Sequence, residues 1–401
     1  MHVLLVADGR SPITRSWIEM LSILDVQISL ISTFPCEKNK KVTGQYEIVF
    51  GFSRLAGGQV DRTGAHLRLG WKRKMVAYVR PHLMAVRAWL QPVLLLNQRE
   101  RLRLMVHQVK PDIVHALRIP FEGMLAAGLP RDIHLVASIW GNDLTLHAHT
   151  SPLMRCATNT TLRRVDALIA DTNRDTRLAH HYGLRNEIPT LVVPGSGGLD
   201  IERLRTVTAG YSALPVDMAM DYQWVVNPRG FRPGSVHQDT FFKSIPLILR
   251  EIPRVRFVCP GMLGQPAAHR WVESLGIQDA VTLLPFIEQN ELWRIFSHAQ
   301  IYLSLSSHDG TPNSFLEAIA CGCFPVVGDN TALREWVEPG QNGALVDPKN
   351  PQQAAHAVIQ ALQDGQSILK ARPINQKIIQ ERADMRKVSA KVLALYCQLV
   401  V

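Results

Sequence analysis

Short apolar runs alternate with stretches of helical apolar spacing from the first residue onward. Residues 3–7 (VLLVA) read as a strand, 13–24 carry apolar side chains at helical intervals, and 26–32 return to strand character. Residues 37–64 are polar and glycine-rich, a loop with a short strand expected at 46–50. Beyond a long basic helical region, strands at 112–116, 134–139, 167–170 and 191–193 alternate with helices at 121–127, 158–164 and 175–182. Strands that are apolar throughout and separated by helices predict a parallel sheet covered on both faces. The periodicity fades over 195–222, and a second series follows. Its strands fall at 223–226, 256–259, 281–284, 301–305 and 324–327, and its helices at 240–251, 267–275, 288–297 and from 312 to just before Gly322. The tail, 374–401, is helical in pattern. The prediction is an α/β chain with two Rossmann-like domains facing across a cleft. The first covers 1–205, completed by a C-terminal helix at about 377–401, and the second covers 206–376.

Length agrees, since 401 residues suit two domains of about 150–200 residues rather than one. The hydrophobic share of 46% and charged share of 19% are ordinary for a globular protein. Of six cysteines only Cys321 and Cys323 are close in sequence, and no Cys/His spacing fits a structural zinc site. A reducing compartment is expected. The N-terminal MHVLLVADG has no basic leader region, so it reads as a first strand and not as a signal peptide. No apolar run reaches the roughly 18 residues of a spanning helix. The expected location is cytoplasmic, with peripheral attachment at the inner face of the membrane.

Charge changes this picture in one place. Residues 62–110 hold 11 Lys/Arg and a single acid, Glu100, while the rest of the chain has 33 of each sign, so this segment carries the whole formal +10. Trp71, Tyr78, Trp89 and several aliphatic residues are interleaved with those cations. Such a mixture suits an anionic membrane surface. It suits equally a pair of solvated helices with one apolar face. No nucleic-acid-binding motif accompanies it, and nucleic acid is not an expected partner.

Chemistry concentrates between Tyr302 and Asp347. A strand runs into a polar loop, 306–310, and a helix opens at Pro312, a residue suited to a first helical turn. The amides of Asn313, Ser314 and Phe315 then point out of the helix start, where a diphosphate fits. Gly310 lets backbone approach a ligand. Asp309 can accept hydrogen bonds from sugar hydroxyls, and Glu317 those of a ribose diol. Positive charge for a diphosphate comes from Arg229 and Arg232 in NPRGFRPG, directly after the second domain's first strand, with Lys243 as a further candidate. In the first domain, Gly9 follows strand one and Asp143 follows the strand ending at Ile139. Asp143 is placed to bind hydroxyls, or to cap a helix. His115, His147 and His149 are expected to be structural or on the surface.

These residues resemble the retaining glycosyltransferases of family four, with the GT-B fold. The run from Asp309 through Glu317 to Ala318 is similar to the family's E-x7-E signature, and Gly322-Cys-Phe-Pro-Val-Val to its trailing G-x-P-V-V. Glu335, the Gly340–Gly343 turn, PDIVHA at Pro111, WGND at Trp140 and VPGSGGLD at Val193 follow in the family's order. The resemblance implies that Asp309 meets the donor sugar, Glu317 the nucleotide ribose and Arg229 the diphosphate. It also implies that no metal or other cofactor is needed. The expected catalytic residues are Asp309, Arg229 and Asp143. The expected donor-binding residues are Glu317, Gly310, Thr311, Pro312, Asn313, Ser314, Phe315, Arg232, Lys243 and Gly9. Three positions depart from the family: Asp309 stands where Glu is common, Trp140 where many members have His, and no Lys follows Arg229 at the usual spacing.

The expected activity is transfer of a hexose-type sugar from a nucleotide-diphosphate donor to a glycan or lipid-linked acceptor with retention, in cell-surface polysaccharide synthesis. The alternatives are a catalytically silent scaffold that binds nucleotide sugar or glycan, and a nucleotide-sugar epimerase. A nicotinamide dehydrogenase is the least expected reading, because no G-x-G-x-x-G follows a strand.

Overall fold

The computed structural model describes residues 1–50, 71–210, 214, 216–232 and 234–400, with the side chains of 71–88 left out. It divides into two compact units, Met1–Gly198 with Met385–Val401, and Leu199–Asp384.

The first unit holds a seven-stranded parallel sheet. Its strands are β1 (His2–Ala7), β2 (Gln27–Ser32), β3 (Gly44–Glu47), β4 (Ile113–Ala116), β5 (His134–Ile139), β6 (Ala167–Ala170) and β7 (Thr190–Val192), in the order β3-β2-β1-β4-β5-β6-β7. Strand β1 sits at the point where the order reverses, with Val3 opposite both Ile28 and Ile113. Side-chain alternation splits the core into two layers. Val3, Leu5 and Ala7 pack on Trp17 and on Val388, Val392 and Tyr396 of the C-terminal helix Met385–Val400. Leu4 and Val6 share the opposite layer with Leu95, Leu102 and Val106 of the long helix Trp71–Val109. The C-terminal helix is also tied in by polar contacts. The Tyr396 hydroxyl lies 2.6 Å from His115 Nδ1, and His115 Nε2 lies 2.8 Å from Ser138 Oγ. Complete burial pushes the His115 pKa down to about 3, so the ring stays neutral and structural.

The second unit repeats the plan with six parallel strands. They are β8 (Gln223–Val226), β9 (Val255–Cys259), β10 (Val281–Leu283), β11 (Ile301–Ser304), β12 (Phe324–Gly328) and β13 (Ala344–Val346), in the order β10-β9-β8-β11-β12-β13. Val225, Phe257 and Leu303 face one layer with Phe241 and Ile245, while Val226, Val258 and Tyr302 face the other with Trp293, Phe296 and Phe315.

Four expectations shift. The boundary expected at 205/206 falls inside the helix Ile201–Ala209, whose Leu204 is buried in the second unit, so the chain changes unit at Gly198/Leu199. The return falls at Asp384/Met385 and not near 377, because the helix Gln366–Arg382 buries Ile379 in the second unit's core. The strand expected at 46–50 is β3, where Gly44 to Glu47 pair with Ser29 to Ser32. Within the basic segment, where a helix pair is one of the two readings, Trp71–Val109 form a single 39-residue helix, and 62–70 lie outside the described residues.

Candidate functional site

In the second unit, the site residues come from loops at the C-terminal ends of β8 and β11, neighbours at the reversal of strand order, where open parallel sheets bind ligands. Beyond β8, buried Asn227 accepts the Arg229 amide (3.1 Å) and donates to Gln238 Oε1 (2.8 Å). Gln238 in turn donates to the Arg229 carbonyl. Two buried amide side chains thus hold the loop that aims Arg229. The loop is then laced to the one beyond β11. His237 N donates to the Leu305 carbonyl (2.8 Å), and Ser307 N to the Ser235 carbonyl (2.9 Å). Consequently Arg229 Nη2 meets Asp309 Oδ2 at 2.5 Å, with the two side chains only 8% and 14% exposed. The Arg229 guanidinium beside Arg232, together with partial burial, holds Arg232 below its usual arginine range. Two cations crowded together in this way are stabilised by an anion placed between or beside them.

Helix Asn313–Ala320 starts next to this pair. Pro312 caps it in an extended conformation (φ −65°, ψ 132°). The amides of Asn313 and Ser314 have no hydrogen-bond acceptor among the described residues, while Phe315 N donates to the Pro312 carbonyl at 3.0 Å. Of the three amides expected to be open, the third is therefore closed by the first turn itself. Ser314 Oγ contacts the buried Tyr302 hydroxyl (3.2 Å), and Thr311 Oγ1 accepts from Trp336 Nε1 (3.0 Å). Phe315 is buried between Tyr302 and Trp336. Its role is to anchor the helix start, and Gly310 and Pro312 are buried with it.

Glu317 lies on the same helix and is 7% exposed. Its Oε1 accepts from Gln289 Nε2 at 2.7 Å. Burial pushes its pKa up to about 7, opposed by hydrogen bonding and by the charge of Arg203. Arg203 itself is held by Asn290 (2.7 Å) and lies over the Trp293 ring.

Three expected site residues are placed otherwise. Lys243 lies on the outer face of helix Gln238–Glu251, where its ammonium faces Asp239 at 3.4 Å with both side chains about half exposed. No contact brings it to Arg229, Asp309 or Glu317 among the described residues. Asp143 is fully buried. Its Oδ1 accepts from Arg118 (2.6 Å), and its Oδ2 from the amides of Ile119 (3.1 Å) and Trp140 (3.2 Å). Asp143 therefore orients Arg118 and pins two loops together. At Gly9 the amide donates to Ser32 Oγ (3.0 Å), and a Cβ would meet Cys36 Sγ at 2.4 Å. Close packing against Cys36 and Ser32 accounts for the glycine there.

Sequence reasoning missed Asn227, Gln238, Gln289 and Arg203, all polar residues with nothing in their local pattern to mark them. It also missed a cavity of about 650 Å³ in the first unit, at the C-terminal ends of β1, β2, β4 and β5. Asp8, Arg10, Thr33, Arg118 and Glu122 line it, and so does Trp140, the residue standing where His is common. His147, expected to be structural or on the surface, is also in its wall.

Residues 235–380 match the family described as "Glycosyl transferases group 1", and residues 77–172 the one described as "Glycosyl transferase 4-like". The chain belongs to the family-four type of group 1 glycosyltransferases. Two GDP-mannose:cellobiosyl-diphosphopolyprenol alpha-mannosyltransferases are similar to this chain. The one from Xanthomonas campestris is 27% identical over 167 residues, 40% of each protein. The one from Komagataeibacter xylinus is 25% identical over 128 residues, 31% of this chain and 32% of that protein. The matches thus span 40% and 32% of the relatives' own length. Among solved structures, Anabaena Alr3699/HepE in complex with UDP and glucose is similar at a TM-score of 0.70 and 15% identity, covering 99% of this chain and 100% of that one. The fold is GT-B.

Proposed function

We propose that the chain transfers a hexose-type sugar from a nucleotide-diphosphate donor to a glycan or lipid-linked acceptor, with retention of the anomeric configuration. The observation that carries this reading is the cluster of Arg229, Asp309, the open amides of Asn313 and Ser314, and buried Glu317, all at one reversal of strand order in one unit. In this reading the diphosphate lies on the helix start and against Arg229 and Arg232. Negative charge develops there as the glycosidic bond breaks, and fixed cations and amides stabilise it. The same groups take the place of a metal, so transfer is expected to survive chelation of divalent ions. Asp309 holds donor-sugar hydroxyls and Glu317 the ribose diol. The acceptor attacks from the face that the diphosphate leaves.

The two similar mannosyltransferases make GDP-mannose and a diphosphopolyprenol-linked glycan the first donor and acceptor to test. An anionic membrane surface fits such an acceptor. Helix Trp71–Val109 exposes Trp89, Leu90, Val93 and Leu96, and its segment carries the chain's excess positive charge. No helix among the described residues is long and apolar enough to cross a membrane. Attachment at the cytoplasmic face is part of the same proposal.

Calorimetry with UDP and GDP on the wild type and Glu317→Ala tests the donor site. Nucleotide binding that weakens at least tenfold in the variant supports the reading, and equal affinity overturns it. Turnover of donor panels with lipid-linked acceptors, with and without EDTA, separates a transferase from a scaffold that binds the donor without transferring it.

A further inference from the structure

The cavity of the first unit has a chemical character of its own. Its walls are mainly apolar, with Phe34, Leu117, Phe121 and Trp140 among them, and its size falls within the range of small-molecule sites. Its arginines are already committed. Arg10 pairs with Asp8 at 3.1 Å and lies over the Phe34 ring, and Arg118 pairs with Asp143 at 2.6 Å. Glu122 accepts from Thr33 Oγ1 (2.9 Å) and from the Phe121 amide (2.8 Å), and burial raises its pKa toward the neutral acid. Three side chains of the wall nevertheless carry buried polar atoms without a hydrogen-bond partner among the described residues: Arg118 at its Nε, Trp140 and Gln91. Gln91, on helix Trp71–Val109, is 0% exposed, and neither its amide nitrogen nor its oxygen has a hydrogen-bond partner among the described residues. Trp140 Nε1 also lacks an acceptor. A buried amide left with neither donor nor acceptor is costly and uncommon in a folded protein.

We propose that this cavity seats the terminal sugar of the acceptor, that it selects an uncharged pyranose, and that Gln91 reads one of its ring hydroxyls. The inference rests on the transferase reading above and adds the acceptor class to it. A pyranose offers C–H faces to aromatic walls, and each hydroxyl both donates and accepts, which matches the two unmet groups of Gln91 at once. A uronate or a sugar phosphate instead meets the Asp8 carboxylate, with each arginine already held by a carboxylate. An ionised group there competes with those carboxylates for the same guanidinium charges, and the site disfavours it for that reason.

The probes are p-nitrophenyl glycosides of glucose, galactose and mannose, and p-nitrophenyl glucuronide, titrated into the full chain by ligand-observed NMR at pH 7. At least one neutral glycoside is expected to bind about tenfold or more tightly than the glucuronide. Gln91→Met, which keeps the side chain's length and removes both unmet polar atoms, is expected to weaken the neutral glycoside roughly three- to tenfold, the loss of one hydrogen bond. Its thermal midpoint is expected to be unchanged or raised, an outcome that a structural role for the amide would reverse. Glucuronide binding as tight as the neutral probes, absence of binding by any neutral probe, or unchanged affinity in Gln91→Met overturns the proposal. The wild-type comparison of neutral and charged probes decides even if the variant misfolds. UDP and GDP calorimetry on the same preparation keeps the two readings apart. Nucleotide binding without glycoside binding sinks only the acceptor proposal, whereas loss of nucleotide binding sinks the donor-site reading.

Discussion

Replacing Glu317 by Gln is expected to stabilise the protein, and increasingly so as pH rises. The carboxyl is buried on helix Asn313–Ala320, and its pKa rises from 4.5 to about 7 on folding. Below pH 4.5 it is protonated in both folded and unfolded chains and costs nothing. Between 4.5 and 7 the unfolded chain releases the proton while the folded one keeps it, so stability falls as pH rises. Above 7 the full cost remains, roughly 3 kcal/mol at 1.36 kcal/mol per pKa unit. At pH 5 it is only about 1 kcal/mol by the same linkage. Gln is nearly isosteric, cannot ionise, and can still accept the hydrogen bond from Gln289. In a unit of this size, roughly 2–4 °C of melting temperature corresponds to 1 kcal/mol. The gap between variant and wild type should therefore widen by about 5–10 °C from pH 5 to pH 8. Scanning calorimetry at both pH values on ligand-free protein reads it directly. A gap of the same size at both would refute the claim that burial withholds the charge from Glu317. If this side chain also receives a ribose diol, the same substitution lowers nucleotide affinity. The site would then be held at a cost in stability for the sake of binding.

Arg229→Met removes the guanidinium that Asp309 faces inside the protein, and should destabilise the second unit by about 3 kcal/mol in denaturant melts. The double variant Arg229→Met/Asp309→Leu should recover most of that loss. Asp143→Asn should lower stability by about 2 kcal/mol, because its carboxylate holds Arg118 and two amides, yet leave UDP and GDP affinity unchanged by calorimetry. Vesicles containing anionic lipid should bind the chain and shift its tryptophan emission to the blue, an effect that Trp89→Ala reduces and that zwitterionic vesicles do not produce.

Much of this molecule was legible along the chain. Uninterrupted apolar strands between amphipathic helices required parallel sheets buried on both faces, and the loss of that rhythm around 195–222 placed the change of unit at 205/206, seven residues past its position at Gly198/Leu199. Gly322 was readable as a helix stop because it must adopt φ +97°, where a Cβ would also strike Arg372. Asp309, Glu317 and the turn at Pro312 could be found because strand, loop and helix follow one another in sequence, so local pattern and spatial neighbourhood coincide. Where they do not coincide, only the tertiary structure decided. Arg229 and Asp309 are 80 residues apart and meet because β8 and β11 are neighbours. Nothing near Asp143 in sequence announces that Arg118 and the Ile119 amide will occupy it, and Lys243 turns to Asp239 through a helix phase that its spacing from Arg229 does not reveal. The cavity around Gln91 and Glu122 is built from four strand ends and one long helix. Its polarity, and the pKa values of the carboxyls at both sites, follow from burial, which is a property of the packed molecule and of no single segment.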